Sequence, residues 1–120
     1  MSKTIGIVGS RRRNTYGDYA KIRDAFKGVY EEGDRIVSGG CPKGGDRFAE
    51  EIAKGEGITI TIHYPNWEKH GRGAGFIRNT RIANDADVLI ACVHSDRTGG
   101  TEDCVKKFEQ FHSGHTLILV

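Results

Sequence analysis

The chain alternates short apolar runs with longer stretches in which apolar residues recur every three or four positions. Ile5-Gly6-Ile7-Val8 has the pattern of a buried strand stopped by Gly9-Ser10, and Tyr19, Ile22, Phe26, Val29 and Tyr30 follow at helical spacing. The pair repeats: Arg35-Ile36-Val37-Ser38 is broken by Gly39-Gly40, and Phe48, Ala49, Ile52 and Ala53 then predict an amphipathic helix ending at Gly55. Ile58 to His63 alternates isoleucine with threonine or histidine, as expected of a strand with one poorly covered face. A polar connection from Tyr64 to Gly75, long enough to suggest function, leads into a helix predicted to carry Phe76, Ile77, Thr80 and Ala83 on one side. Asp87 to Val93 reads as a fourth strand, Thr101 to His112 as a helix turning Val105, Phe108 and Phe111 inward, and His115 to Val120 as a fifth strand.

Strict alternation of strands and helices predicts a Rossmann-like α/β fold, a three-layer sandwich around a five-stranded parallel sheet. Order 3-2-1-4-5 places the alternating third strand at an edge, whereas the flavodoxin-like order would bury it centrally, so the threonines select the first. The other edge would then be Leu117-Ile118-Leu119-Val120, an apolar run whose exposure invites association. A homodimer covering it or nearby helix surface is expected.

Composition narrows the class. The 120 residues fit one domain, and 37% apolar against 28% charged residues fits neither a membrane protein nor a disordered one. A formal charge of +2 is too small for a general polyanion binder, although Arg11, Arg12 and Arg13 are consecutive. Cys41, Cys92 and Cys104 form neither a disulfide framework nor a C-x-x-C pair, and the amino terminus lacks a signal-peptide pattern. Reduced thiols in the cytoplasm, with no membrane contact, are expected. The five histidines form no zinc-type spacing, either alone or with cysteine, so no structural metal is expected; nor is a cofactor.

Doubly wound sheets bind ligands beyond the carboxyl ends of their strands, where strand order reverses. The loops there are Gly9-Ser10-Arg11-Arg12-Arg13 after the first strand and His94 to Thr101 after the fourth, beside Gly39-Gly40-Cys41-Pro42-Lys43-Gly44-Gly45 after the second. Glycine lets backbone N–H groups approach an oxyanion, and a helix amino terminus adds free donors and partial positive charge. Phosphate is the natural guest, with Lys43 and Arg11 supplying full charges. One such loop alone more often makes a tight turn, but three at one crevice favour a binding site. Two better-known motifs fail: Gly39 to Gly44 continues as Gly45-Asp46 without the Walker lysine and hydroxyl in register, and Gly9-Ser10-Arg11 is not a dinucleotide fingerprint.

Gly9-Ser10-Arg11, Ser38-Gly39-Gly40 running into Lys43-Gly44-Gly45-Asp46-Arg47, then Pro65-Asn66-Trp67 with Gly71, Ala74-Gly75 and Arg78-Asn79, resemble the YspA-like branch of the SLOG superfamily over nearly the whole chain. That superfamily includes the LOG phosphoribohydrolases and the DNA-processing protein DprA. The resemblance implies a single SLOG-like nucleotide-binding domain over residues 1–120, with a Rossmann-like fold and a site for a nucleoside monophosphate or an ADP-ribose-like molecule. It also aligns Arg78 with an arginine that carries catalysis in the LOG enzymes. The second LOG motif departs here, because Thr98-Gly99-Gly100-Thr101-Glu102-Asp103-Cys104 lacks its proline and has Cys104 where the catalytic glutamate stands. Asp103, one position earlier, is the acid of YspA-like relatives.

The candidate ligand-binding residues are thus Gly9, Ser10, Arg11, Gly39, Gly40, Lys43, Gly44, Asp46, Arg78, Asn79, Gly99, Gly100 and Thr101, with Arg78 and Asp103 as candidate catalytic groups. Arg78 and Asn79 are expected to open the helix after the long loop. Thr101 is expected to cap the last helix, with Glu102 serving only the helix dipole. Asp46 either caps the second helix or orients Lys43 or a ribose hydroxyl. Trp67 either stacks on a base or pins its loop to the core, the second being commoner. Arg12 and Arg13 reach either phosphate or solvent, and Cys41 has no histidine beside it to make it a nucleophile. Three functions follow: a nucleotide-derivative binding or sensor domain, a nucleoside 5′-monophosphate phosphoribohydrolase using Arg78 and Asp103, and single-stranded DNA binding. The small charge and lack of interleaved aromatics weaken the last.

Overall fold

A computed structural model describes residues 2–112 and 114–120. Five strands, β1 (Thr4–Gly9), β2 (Arg35–Ser38), β3 (Ile60–Ile62), β4 (Val88–Cys92) and β5 (Thr116–Leu119), form one sheet in the order β3-β2-β1-β4-β5. Every neighbouring pair is parallel, with Ile5 opposite Ile36 and Val88, Ile36 opposite Ile60, and Leu89 opposite Leu117. The architecture is Rossmann-like α/β, in the order expected from the strand patterns.

Helices α1 (Tyr16–Val29) and α2 (Gly45–Glu56) cover one face, and α4 (Ala74–Asp85) and α5 (Gly100–Phe111) the other. The side-chain alternation of β1 divides the core between them. Ile5 and Ile7 join Ile22, Phe26, Phe48 and Ile52 on the first face, and Val8 joins Ile82, Ala83, Val105 and Phe108 on the second. All five β4 residues are buried, whereas β3 and β5 are only half-covered, as edge strands should be.

Local chemistry sets the helix ends. Thr15 and Asp18 form a reciprocal capping box at the start of α1, each side chain accepting from the other's backbone N–H. α2 runs through Gly55 and stops at Gly57, which is left-handed with φ of 67°. The Tyr64 to Gly75 connection is not simply a loop: it holds a one-turn helix, α3 (Trp67–His70), capped by Asn66 and followed by a 3-10 turn over Gly71–Gly73.

Two helix faces differ from expectation. α4 turns Ala74, Asn79, Ile82 and Ala83 inward, leaving Phe76 and Ile77 exposed. Close packing selects the smaller residues here: at the end of α4, Ala86 approaches β1 so tightly that a Cβ on Gly6 would lie 2.9 Å from its methyl carbon. On α5, Val105 and Phe108 are buried as expected, but Phe111, in the last turn, is exposed. No helix among the described residues is long and apolar enough to cross a membrane. The three cysteines are unpaired, Cys92 and Cys104 being buried and Cys41 half-buried.

Candidate functional site

A cleft of about 400 Å³ opens where strand order reverses, beyond the carboxyl ends of β1 and β4. Gly9, Ser10, Arg11 and Arg12 line it from the loop after β1, and Thr98, Gly99, Gly100 and Thr101 from the start of α5. Arg78 and Asn79 on α4, with Cys41 and Asp46 from the β2 side, complete most of the wall. The volume falls within the range of small-molecule sites.

Arg78 is fixed on two of its donor positions. Its Nε donates to Asn79 Oδ1 at 2.8 Å and its Nη1 to the Gly39 carbonyl at 2.7 Å, while Asp46 lies 3.9 Å away. Nη2 has no partner among the described residues. Asn79 links this arginine to α5, its Nδ2 donating to the Gly100 carbonyl at 3.0 Å and to Asp103 at 3.2 Å. Both ends of the Asn79 amide are therefore assigned by their partners.

Asp46 is buried in the wall, accepting from the Ser38 hydroxyl at 3.1 Å and the Cys41 backbone N–H at 3.1 Å. Burial pushes its carboxyl above the usual value, and the Cys41 hydrogen bond and the Arg78 charge oppose that only in part. It does not cap its own helix, because α2 begins at Gly45 with its side chain turned back to the preceding loop.

The glycines after β2 have a packing role. A Cβ on Gly45 would lie 2.4 Å from the backbone N of Gly9, and one on Gly44, whose φ is 74°, would lie 2.4 Å from the Ser10 carbonyl oxygen. The amino end of α2 thus rests directly on the loop after β1. The Gly44 N–H already donates to Asn14 Oδ1 at 2.8 Å.

The start of α5 has no side-chain cap; Gly99, with φ of 93°, occupies the cap position rather than Thr101. Its first-turn acids are matched by cations. Arg97 grips Glu102 with two bonds of 2.7 Å and holds its carboxyl below the usual range, and Lys107 lies 2.9 Å from Asp103. Open N–H donors with neutralised acids behind them suit an anion. Across the mouth, Arg12 pairs with Asp96 at 2.7 Å and drives that carboxyl well below its ordinary value. Arg11 is exposed at the cleft with no ion pair among the described residues.

Comparison with known proteins adds a relative. The chain is 35% identical over 117 residues to the Gene 61 protein of Mycobacterium phage D29, a match covering 90% of each chain. It belongs to the Gene 61 protein family. No family model matches the chain. No solved structure matches it.

In this member of the Gene 61 family, nine of the thirteen candidate ligand-binding residues line the cleft: Gly9, Ser10, Arg11, Asp46, Arg78, Asn79, Gly99, Gly100 and Thr101. The other four stand outside its wall. Gly39 holds Arg78 through its carbonyl, Gly40 packs against Tyr64 and Ile62, Gly44 is buried under Ser10, and Lys43 is exposed with no ion pair among the described residues. Asp103, the candidate catalytic acid, is not in the wall either and is occupied by Asn79 and Lys107. Arg78 lies in the second turn of α4, which begins at Ala74 rather than at Arg78.

Sequence reasoning left Arg12, Thr98 and Cys104 out of the site, yet all three line the cleft of this Gene 61 relative. Proximity to Arg11 and to Gly99 was the available signal for the first two. Burial pushes the Cys104 thiol up to about 12, so it is a packing group. Arg13 reaches neither phosphate nor solvent: it turns inward to Asp18 at 2.8 Å and to the carbonyls of Val93 and Val120, tying β5 to the loop after β1. Trp67 does not pin its loop, being 57% exposed. No group of three or more metal-ligating side chains occurs among the described residues.

Proposed function

We propose that the protein binds a nucleotide or nucleotide-derived ligand, a nucleoside monophosphate or an ADP-ribose-like molecule, in the cleft between β1, β4 and α5, as a binding or sensor domain of SLOG type. One observation carries the proposal: the unpartnered Nη2 of an otherwise fixed Arg78 and the uncapped amino end of α5 border the same cleft. A guanidinium held by Gly39 and Asn79 needs no further ordering to meet a phosphate, and the N–H groups at the start of α5 add donors in the same cleft. Arg11, which has no ion pair among the described residues, extends positive charge to the mouth.

Binding without turnover fits the placement of the acids. Asp46, the carboxylate in the wall, is committed to Ser38 and Cys41 and sits beside Arg78, and Asp103 faces Lys107. Both carboxylates already hold hydrogen-bond partners, which supports binding over turnover. The proposal extends to a cytoplasmic homodimer, supported by unpaired thiols, the open β5 edge and the exposed Leu119, and tested by sedimentation at micromolar concentration.

The test is thermal unfolding with nucleoside monophosphates, NAD and ADP-ribose, alongside detection of free base. Concentration-dependent stabilisation without base release is expected, and Arg78→Ala should abolish it. Release of base would favour the phosphoribohydrolase. Binding of single-stranded DNA with steep salt dependence, and of none of the small ligands, would favour the nucleic-acid function.

A further inference from the structure

Two of the largest exposed side chains, Tyr64 at 62% and Trp67 at 57%, occur in the connection between β3 and α4. Neither lines the cleft itself; Trp67 reaches Gly75, near the wall residue Arg78, and Tyr64 reaches Gly40, which precedes the wall residue Cys41. The tip of the Trp67 indole, Cη2, lies 3.7 Å from the point a Cβ on Gly75 would occupy, and Arg78 Nη2 lies 3.9 Å from that same point. The indole edge and the free edge of the arginine thus flank one glycine. Tyr64 lies on the adjoining turn, its ring within 2.5 Å of where a Cβ on Gly40 would stand, next to the Gly39 carbonyl that holds Arg78. Neither aromatic ring is used by the core: α3 has no buried residue, and its cap Asn66 holds the turn without them.

We propose that Trp67 forms a base-stacking subsite next to the cleft that receives the aromatic base of the nucleotide whose phosphate the cleft holds; this rests on the nucleotide-binding proposal above. The layout of the sheet gives the ligand its direction. The phosphate-side groups follow β1 and β4, while the aromatics follow β3, two strand positions from β1 and therefore about 10 Å across the sheet. A nucleotide carries its phosphate and base on opposite sides of a ribose, so it spans the cleft with Arg78 between the two groups. A planar base gains contact from the indole face, and the guanidinium offers a second flat, weakly hydrated surface. The pairing favours purines, which present the larger ring face.

Trp67 is the protein's single tryptophan, so its fluorescence reports the subsite directly. The full chain is titrated with AMP and, separately, with ribose 5-phosphate, following tryptophan emission and thermal stability. AMP should change the emission and ribose 5-phosphate should stabilise without changing it. In Trp67→Ala, AMP affinity should fall on the order of tenfold, while ribose 5-phosphate affinity and the unliganded melting temperature remain those of the wild type; Trp67→Phe should recover most of the loss. Unchanged AMP affinity in Trp67→Ala, or an equal loss for both ligands, overturns the stacking subsite while leaving the phosphate cleft standing. Failure of the wild type to bind either ligand overturns both.

Discussion

Arg78 Nη1 occupies the space that a side chain on residue 39 would need: it donates to the Gly39 carbonyl at 2.7 Å and lies 2.6 Å from where a Gly39 Cβ would be built. The glycine and the arginine are thus one structural unit, joining the turn after β2 to α4. The nearest atoms that Gly39→Ala would meet belong to two side chains, Arg78 and Asp46, rather than to backbone. The expected result is a folded protein destabilised by about 1–3 kcal/mol in urea unfolding, with nucleotide-induced stabilisation lost because Arg78 is displaced.

Gly45→Ala should behave differently. The added Cβ would lie within 2.5 Å of backbone atoms of Val8 and Gly9, and neither strand nor helix can retreat without breaking the β1–α2 contact. A loss of at least about 3 kcal/mol is expected, enough to unfold a marginal domain, whether or not ligand is present. Urea denaturation of the two alanine variants side by side checks the contrast. An equally mild effect at Gly45 would show that the close packing is not required.

Arg78→Lys retains the charge but not the fork. An ammonium cannot satisfy the Gly39 carbonyl and Asn79 Oδ1 while still presenting a donor to the cleft. Nucleotide affinity should fall on the order of tenfold or more, with a stability cost of about 1–3 kcal/mol for the lost charged hydrogen bonds. Calorimetric titration and thermal unfolding measure the two effects separately.

Sheet order and cleft location were legible because they depend on patterns that survive without coordinates: Thr59 and Thr61, just before and within β3, marked an edge, and the reversal between β1 and β4 marked the crevice. Residue roles within loops were less legible. Gly44 and Lys43 look like a phosphate loop in sequence, but whether a backbone N–H faces a ligand or a neighbour depends on tertiary packing, and Asn14 takes the one on Gly44. The inward face of α4 was obscured because hydropathy ranks Phe76 above Ala74, whereas close helix packing selects the smaller side chain. Trp67 was assigned by the commoner behaviour of tryptophan, which the capped α3 turn makes unnecessary.

Asp46 gives a pH dependence with a defined sign. Burial raises its folded-state value above the ordinary 3.8, so it contributes stability that is fully present below the unfolded value and is lost as pH rises through the folded one. Asp46→Asn removes that titration. The stability of the wild type relative to Asp46→Asn should therefore increase as pH falls from neutrality toward the carboxylate range. Paired thermal melts across that range measure the difference. A relative stability that decreases with falling pH would mean that Arg78 and Cys41 outweigh burial.

Asp103→Asn distinguishes a positioning acid from a catalytic one. Asp103 lies outside the cleft wall and receives hydrogen bonds from Asn79 and Lys107. An asparagine there keeps an oxygen for Asn79 and loses only the half-exposed Lys107 ion pair, which sits at i,i+4 spacing on α5 and contributes about 0.3–0.5 kcal/mol. Nucleotide affinity is expected to stay within about twofold of the wild type, since Arg78 and the start of α5 are unchanged, a difference of under 0.5 kcal/mol. Thr15→Ala supplies the matching control at a site remote in role: it breaks the α1 capping box, should cost about 1 kcal/mol, and should likewise leave affinity intact. If Asp103→Asn instead weakens binding tenfold while Thr15→Ala does not, Asp103 contacts the ligand, and the acid belongs in the site after all.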